Sequence, residues 1–569
     1  MWTAAWSAVL GSDLARDGFA QFDPLILLLF ATAFAWISLG FAFGMSGLLA
    51  ELFERAGEDE TPPAPVRTRT VLLFPVYNEA PERVFSTVRS LMDDLARLGA
   101  RESVDLFVLS DTRDEAIAAE EHTRVAALVS SDGGPARLFY RRRLANAGRK
   151  AGNIADFVRR WGGRYDYMIV LDADSVMSAR TILKLAAMME ADETTGLIQT
   201  VPILVGRTSL FARLLQFASA LYSRAYARGF VLIAGTEGTY WGHNAIIRVR
   251  AFAECCGLPA LRGRAPFGGE ILSHDFVEGA LLGRGGWRLR LASELEGSFE
   301  ESPPNLLAYA RRDRRWAQGN LQHLRLLRAP GLSAWSRVSF ALGALGYLSS
   351  LVWLAFFLAS LADSALGPGR FVYFTGERQL FPDWSNVLSP WSAAVLIVSS
   401  VMIFGPRLLI ALKTAVSPRR SDFGGGLTLL ASVLFEVLAS TLVAPVLMIY
   451  QSRAVVEVLL GRDSGWPAAE RRDGAIPLVT AANASWWVSL TGLGLLAGGL
   501  TLAPAAIWWT LPVSLPMIFA PLVISATASP ELGIAARATR LLLTPAETGW
   551  SGRTASPASD LAGGERRRA

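Results

Sequence analysis

Charge-free apolar stretches alternate with charge-rich ones along the chain. The first runs from about Pro24 to Ala50, through Leu25-Ile26-Leu27-Leu28-Leu29-Phe30 and Trp36-Ile37. It is long enough to cross a hydrocarbon layer of about 30 Å, so it predicts a transmembrane helix over 24–50 behind a short polar leader of residues 1–23. The charged, Pro-rich stretch that follows, with Thr61-Pro62-Pro63-Ala64-Pro65, predicts a linker over 51–65. Further charge-poor segments at 338–362, 389–412, 428–450, 485–503 and 505–527 predict a membrane region over 331–530, and a polar basic tail occupies 531–569.

Residues 66–330 have a different rhythm. Thr70 to Phe74, Asp105 to Leu109 and Met168 to Leu171 are short apolar runs, separated by helix-like stretches such as Pro81 to Leu98. That alternation predicts an α/β domain with a largely parallel sheet, whose chemistry collects at the carboxyl ends of its strands. Within it, 207–230 mixes Arg207, Arg213, Arg224 and Arg228 with Leu210, Phe211, Leu214, Phe217 and Leu221. The mixture suits an amphipathic helix on a membrane surface, or equally a helix packed on the domain core.

Topology poses a conflict. If the α/β domain is cytoplasmic and each later segment crosses once, the loop carrying Arg453, Arg462, Arg471 and Arg472 falls outside with the basic tail, against the positive-inside tendency. Both return to the cytoplasm if 428–460, which contains Pro445, lies in the interface or re-enters.

With 51% hydrophobic and 18% charged residues in 569, disorder is excluded as the main state. Cys255 and Cys256 are neighbours and staple nothing, and four scattered histidines form no zinc motif, so any metal falls to carboxylates. The net charge of +5 clusters beside apolar segments and reads as membrane anchoring, not as a nucleic-acid surface.

The candidate chemistry begins at Met168-Ile169-Val170-Leu171-Asp172-Ala173-Asp174-Ser175. Were this segment extended, Asp172 and Asp174 would converge on one hard cation; the alternative is a solvated Asp-x-Asp turn. Leu72-Leu73-Phe74-Pro75-Val76-Tyr77-Asn78-Glu79 and Val108-Leu109-Ser110-Asp111 likewise run from apolar strand to polar loop, making Pro75, Tyr77, Glu79 and Asp111 candidates for seating a nucleotide. Lys150, one of three lysines, is a compact ammonium in Arg149-Lys150-Ala151-Gly152-Asn153, or simply a basic turn. Asp275, in Ser273-His274-Asp275, is a candidate general base or a helix cap. Arg311-Arg312-Asp313-Arg314-Arg315-Trp316 could grip a diphosphate and stack a sugar, or anchor to anionic lipid.

Taken together these motifs resemble the D, DxD, TED and QxxRW series of processive family 2 glycosyltransferases, with Asp111, Asp172/Asp174, Asp275 and Arg312-Asp313-Arg314-Arg315-Trp316 in the four places. Ser-His stands for Thr-Glu, and Arg312 for Gln. A narrower branch is similar over roughly residues 24–527: the glucans biosynthesis glucosyltransferase H proteins, through Leu272 to Glu278, Glu300 to Leu306, Arg312 to Trp316 and Ser452 to Trp466.

The resemblance implies a GT-A (Rossmann-like) cytoplasmic domain inserted in an α-helical polytopic membrane domain of the bacterial inner membrane. It implies UDP-glucose as donor, Mg²⁺ or Mn²⁺ on Asp172 and Asp174, and a nascent, mainly β-1,2-linked osmoregulated periplasmic glucan. In that reading Lys150 and Asp111 help seat the uridine end. Arg312 and Arg315 counter the leaving diphosphate, Asp275 activates the acceptor, and Trp316 with Trp241, Gly242 and His243 forms the acceptor floor. The lipid bilayer, periplasmic glucan biosynthesis protein G and acyl carrier protein are the partners it suggests. The branch also carries a long N-terminal extension and two spans before the domain, where one span is visible here. Rival readings are a synthase of another β-polysaccharide such as cellulose, and a transporter gated by nucleotide-sugar without catalysis.

Overall fold

The computed structural model describes residues 1–14, 21–53, 66–131, 137–366, 390–463, 474–502, 504 and 507–548. The α/β domain is built on β1 (Thr70–Val76), β2 (Val104–Ser110), β3 (Leu138–Arg142), β4 (Tyr167–Val170), β5 (Val176–Met177), β6 (Thr195–Thr200), β7 (Ile203–Val205), β8 (Ala245–Arg248), β9 (Arg288–Ala292) and β10 (Ser298–Glu301). Seven form one sheet in the order β3-β2-β1-β4-β8-β6-β9; β5, β10 and β7 form a second, small sheet. β1 to β4 pair in parallel, and β8 is inserted antiparallel between β4 and β6.

The central strands read as unbroken apolar runs because helices cover both sheet faces. Leu72, Phe74 and Ile169 pack on one side, and Val71, Leu73, Met168 and Val170 on the other. The carboxyl ends of β1, β2 and β4 therefore deliver Pro75–Glu79, Asp111 and Asp172 to one edge.

Among the described residues, five helices are long and apolar enough to span a bilayer: Asp23–Phe53, Ala334–Ser364, Ala393–Val416, Gly426–Leu459 and Leu478–Leu502. The segment expected as one span over 505–527 is two helices, Ile507–Ile518 and Ala520–Ala528, bent by 57°. Residues 428–460 do not turn back on themselves. Residues up to Leu459 lie in one 34-residue helix, Gly426–Leu459, with Pro445 inside, about 51 Å long, and Leu460 caps it. Both flanks of this helix touch the α/β domain: Leu429 and Val433 share a cluster with Leu214 and Phe217, while Val455 and Val458 pack with Leu321.

Three expectations need correction. The leader is not simply polar: Trp2–Leu14 is a helix, apolar around most of its circumference, whose Trp6 and Leu10 pack with Phe30, Phe34 and Met402. The tail is not loose through its described part either. Pro530–Ala538 is a helix, Leu542 is wholly buried, and Glu547 pairs with Arg213 at 2.7 Å. Residues 207–230 form a helix only from Leu210 to Ala234, and Arg207 is instead buried against Glu301 at 2.6 Å. The linker beyond Phe53, Trp466, Arg471, Arg472 and the end of the basic tail lie outside the described residues.

Candidate active site

A cavity of about 1140 Å³ opens at the edge where β1, β2 and β4 end. Pro75, Tyr77, Glu79, Asp111, Lys150, Asp172, Trp241, Gly242, His243, Asp275 and Trp316 all line it. Residues separated by more than 200 positions thus meet around one space.

The donor end is held by charge pairs. Asp111 is buried and receives both arms of Arg143, at 2.7 and 2.6 Å, so its carboxylate is already engaged by protein. Arg143 also donates to the carbonyls of Ala147 and Arg149, at 3.1 and 2.9 Å, fixing the loop that opens the helix Arg149–Trp161. Lys150, in the first turn of that helix, forms a close ion pair with Asp172 and donates to the Gly242 carbonyl at 2.8 Å.

The Asp-x-Asp segment is not extended. β4 stops at Val170, the Ser175 amide donates to the Asp172 carbonyl at 2.9 Å, and the Asp172 amide donates to Ser175 Oγ at 3.1 Å. This is a tight turn, so alternate side chains no longer share a direction: Asp172 faces the cavity and Asp174 is not among its lining residues. Among the described residues no three His, Cys, Asp or Glu side chains gather as a metal-binding group. The donor set nonetheless suits a hard cation. Asp172, 35% exposed, offers carboxylate oxygen at the cavity wall, and Mg²⁺-type ions are commonly held by one or two carboxylates with substrate phosphates completing the shell.

Asp275 sits in the first turn of the helix His274–Arg284, beneath Gly242. Burial pushes its carboxyl upward, opposed by the charges of His274 and Lys150. His274 accompanies it with Nδ1 3.0 Å from Glu278 Oε2. Burial opposes the charged form of His274, but the charge and hydrogen bond of Glu278 prevail and raise its pKa. His243 is braced between Glu300, 3.2 Å from Nε2, and Ser175, 3.3 Å from Nδ1. Burial again works against the imidazolium, but Glu300 and Asp172 push its pKa up to about 9. The shift favours the imidazolium form of His243 beside Glu300 and Asp172.

Trp316, 42% exposed, projects from the helix Leu306–Gln322. Arg312 lies 4.3 Å over its ring and 5.2 Å over that of Tyr309. Neither Arg312 nor Arg315 is among the lining residues; the Arg and Lys residues that line the cavity are Arg113, Arg149 and Lys150, of which Lys150 pairs with Asp172. The same helix is tied to Gly426–Leu459 by Gln451–Asp313 at 2.5 Å and Arg314–Glu457 at 2.9 Å, and to Asp463 beyond it by Gln318 at 2.8 Å.

Sequence reasoning missed several lining residues. Tyr226 and Phe230 come from Leu210–Ala234, and Gly343 and Tyr347 from the membrane helix that follows the domain. Only the tertiary fold brings these aromatics to the cavity. Arg143 was hidden in the basic run Arg141-Arg142-Arg143, where its spacing gives no signal.

Residues 72–256 match the family described as Glycosyl transferase family 2, and residues 167–374 match Glycosyl transferase family group 2. A glucans biosynthesis glucosyltransferase H of Cereibacter sphaeroides is 43% identical over 520 residues, covering 90% of this chain and 86% of its own. One from Shewanella sp. strain W3-18-1 is 41% identical over 544 residues, covering 95% of this chain and 74% of its own. A solved mannosyltransferase from Pyrobaculum calidifontis, in complex with GDP-mannose and Mn²⁺, is similar at 14% identity and a TM-score of 0.43, over 76% of this chain and all of its own.

Proposed function

The chain belongs to the glucans biosynthesis glucosyltransferase H family, among the family 2 glycosyltransferases, and on that premise we propose that it transfers glucose from UDP-glucose to a growing β-glucan with inversion. The observation that carries this reading is the meeting of Lys150, Asp172, Asp275 and Trp316 on one cavity. A transporter merely gated by nucleotide-sugar has no need of a buried carboxylate such as Asp275 placed beside the acceptor aromatics.

Pro75, Tyr77, Glu79 and Asp111 seat the uridine end, with Asp111 held in place by Arg143. Lys150 faces the diphosphate from the helix start. Asp172 would hold a divalent cation, Mg²⁺ or Mn²⁺, which would supply charge neutralisation for the diphosphate. The acceptor ring lies on Trp316 and Trp241, because aromatic faces suit the C–H faces of sugars. Asp275 takes the proton of the acceptor hydroxyl as that oxygen attacks the anomeric carbon opposite the departing UDP. An α-linked donor then gives a β-linked product without an enzyme nucleophile.

The cavity extends past Tyr226 and Phe230 to Gly343 and Tyr347 on a membrane helix, a route by which a polar chain could enter the bilayer region without meeting lipid. Contact of both flanks of Gly426–Leu459 with the α/β domain supports an interfacial course for that helix. That course leaves the basic loop on the catalytic, cytoplasmic side of a bacterial inner membrane. The product we propose is a mainly β-1,2-linked periplasmic glucan.

Incubating purified protein with radiolabelled UDP-glucose and determining the product linkage tests the reading. A β-1,2-linked glucan supports it; a β-1,4-linked chain assigns a cellulose-like synthase, and UDP-glucose bound but never consumed assigns a nucleotide-sugar-gated transporter.

A further inference from the structure

Away from the catalytic cavity, a second pocket of about 540 Å³ lies between the edge strand β9, the end of Leu210–Ala234 and Ala50. Arg228, Arg288 and Arg290 line it, facing Asp192 and Glu294. In an extended strand alternate side chains share a face, and Arg288 and Arg290 are exposed while Leu289 and Leu291 are buried.

The two acids are already served. Glu294 forms a close pair with Arg290, and Asp192 accepts from Thr194 and Thr195 at 2.6 and 2.8 Å, which with the nearby Arg288 charge holds it down at about 2. No carboxylate lies within ion-pair distance of Arg288 among the described residues. Arg224 and Arg419 lie nearby: burial first, then the charges of Arg228 and Arg419, lower the Arg224 pKa, against the opposing charges of Glu296, its partner at 3.5 Å, and Glu51.

The pocket also has a defined depth. Ala50 is three residues from the end of the membrane helix Asp23–Phe53, and Glu51 pairs at 2.5 Å with Lys413, near the end of a second membrane helix. Charged pairing at two helix ends marks the headgroup layer. Around the pocket, Leu49, Leu52, Phe53, Leu232 and Ile233 are exposed. An arginine-lined recess at headgroup depth, bordered by exposed aliphatic side chains, matches an anionic amphiphile. Guanidinium forks take phosphate oxygens, and the apolar border takes acyl chains.

We propose that this pocket binds the phosphate headgroup of an anionic membrane phospholipid and holds the edge of the catalytic domain against the cytoplasmic leaflet. The site is separate from the transfer site, and its test does not depend on the transfer chemistry.

The test is binding of phosphatidylglycerol and phosphatidylcholine to the full-length protein in detergent, counted by native mass spectrometry. Wild type should retain phosphatidylglycerol over phosphatidylcholine. Arg288→Ala and Arg228→Ala should each weaken that retention roughly fivefold, the equivalent of about 1 kcal/mol per basic residue at a membrane surface. Arg288→Lys should keep most of it. Inorganic phosphate at the same concentration should not displace the lipid. Equal retention of the two lipids, unchanged retention in both alanine variants, or displacement by inorganic phosphate would each overturn the proposal. Arg288 is exposed on a strand edge, and unaltered melting of its variants separates loss of the lipid from loss of the fold.

Discussion

Gly242 gives the most exacting test of how the catalytic cavity is assembled. Its φ is +86°, and a Cβ placed on it would stand 3.2 Å from Asp275 Oδ2 and 3.3 Å from Asp275 Cβ. Gly242→Ala therefore carries two penalties. The left-handed backbone costs about 1–2 kcal/mol, and the contact forces Asp275 to yield by a few tenths of an ångström. Melting should fall by roughly 2–6 °C on the size scaling for a domain this large. If a 1 Å misplacement of a reacting group costs about a hundredfold, a shift of this size should lower kcat by roughly tenfold. UDP affinity should change less, because the substitution keeps the backbone carbonyl that accepts from Lys150. UDP release measured at saturating UDP-glucose, with calorimetric UDP binding, separates these effects. A variant that melts lower yet keeps wild-type kcat would refute the placement of Asp275 as the base.

Lys150→Met removes the ammonium beside Asp172, and loss of a charged hydrogen bond to diphosphate should raise the KM for UDP-glucose roughly 10–100-fold, read from initial rates. The rate should fall on acidification as Asp275 takes up a proton. Because the positive charge of His274 holds the Asp275 pKa down, His274→Gln should move that acid limb to higher pH in a pH–rate profile. Gly47 packs directly against the backbone of Ala225, as Gly229 does against that of Phe43, so Gly47→Val should part the first membrane helix from Leu210–Ala234 and lower the yield and melting temperature of detergent-purified protein.

The parts of the fold that sequence predicted well are those where one physical cause dominates. β1, β2 and β4 are buried on both faces and so appear as unbroken apolar runs whose ends mark the site edge, and Asp111, Asp172 and Asp275 were found from that edge or from motif. Prediction weakened where short-range hydrogen bonding or tertiary contact decided the outcome. Ser175 turns the Asp-x-Asp segment, and of its two acids Asp172 lines the cavity while Asp174 does not. Arg312 is drawn onto the ring of Trp316 rather than towards the donor. Tyr226, Phe230 and Tyr347 reach the cavity through helix packing that no local pattern encodes. The arginines after residue 530 suggested a polar basic tail, whereas Leu542 and Leu543 within it are buried.

The most direct test of the central claim is the anomeric configuration of the bond formed by purified protein from UDP-α-glucose, compared between wild type and Asp275→Asn. The account expects β-linked glucose from wild type, and no transfer from the variant despite retained UDP binding. An α-linked product, or turnover by Asp275→Asn at the wild-type rate, would contradict it.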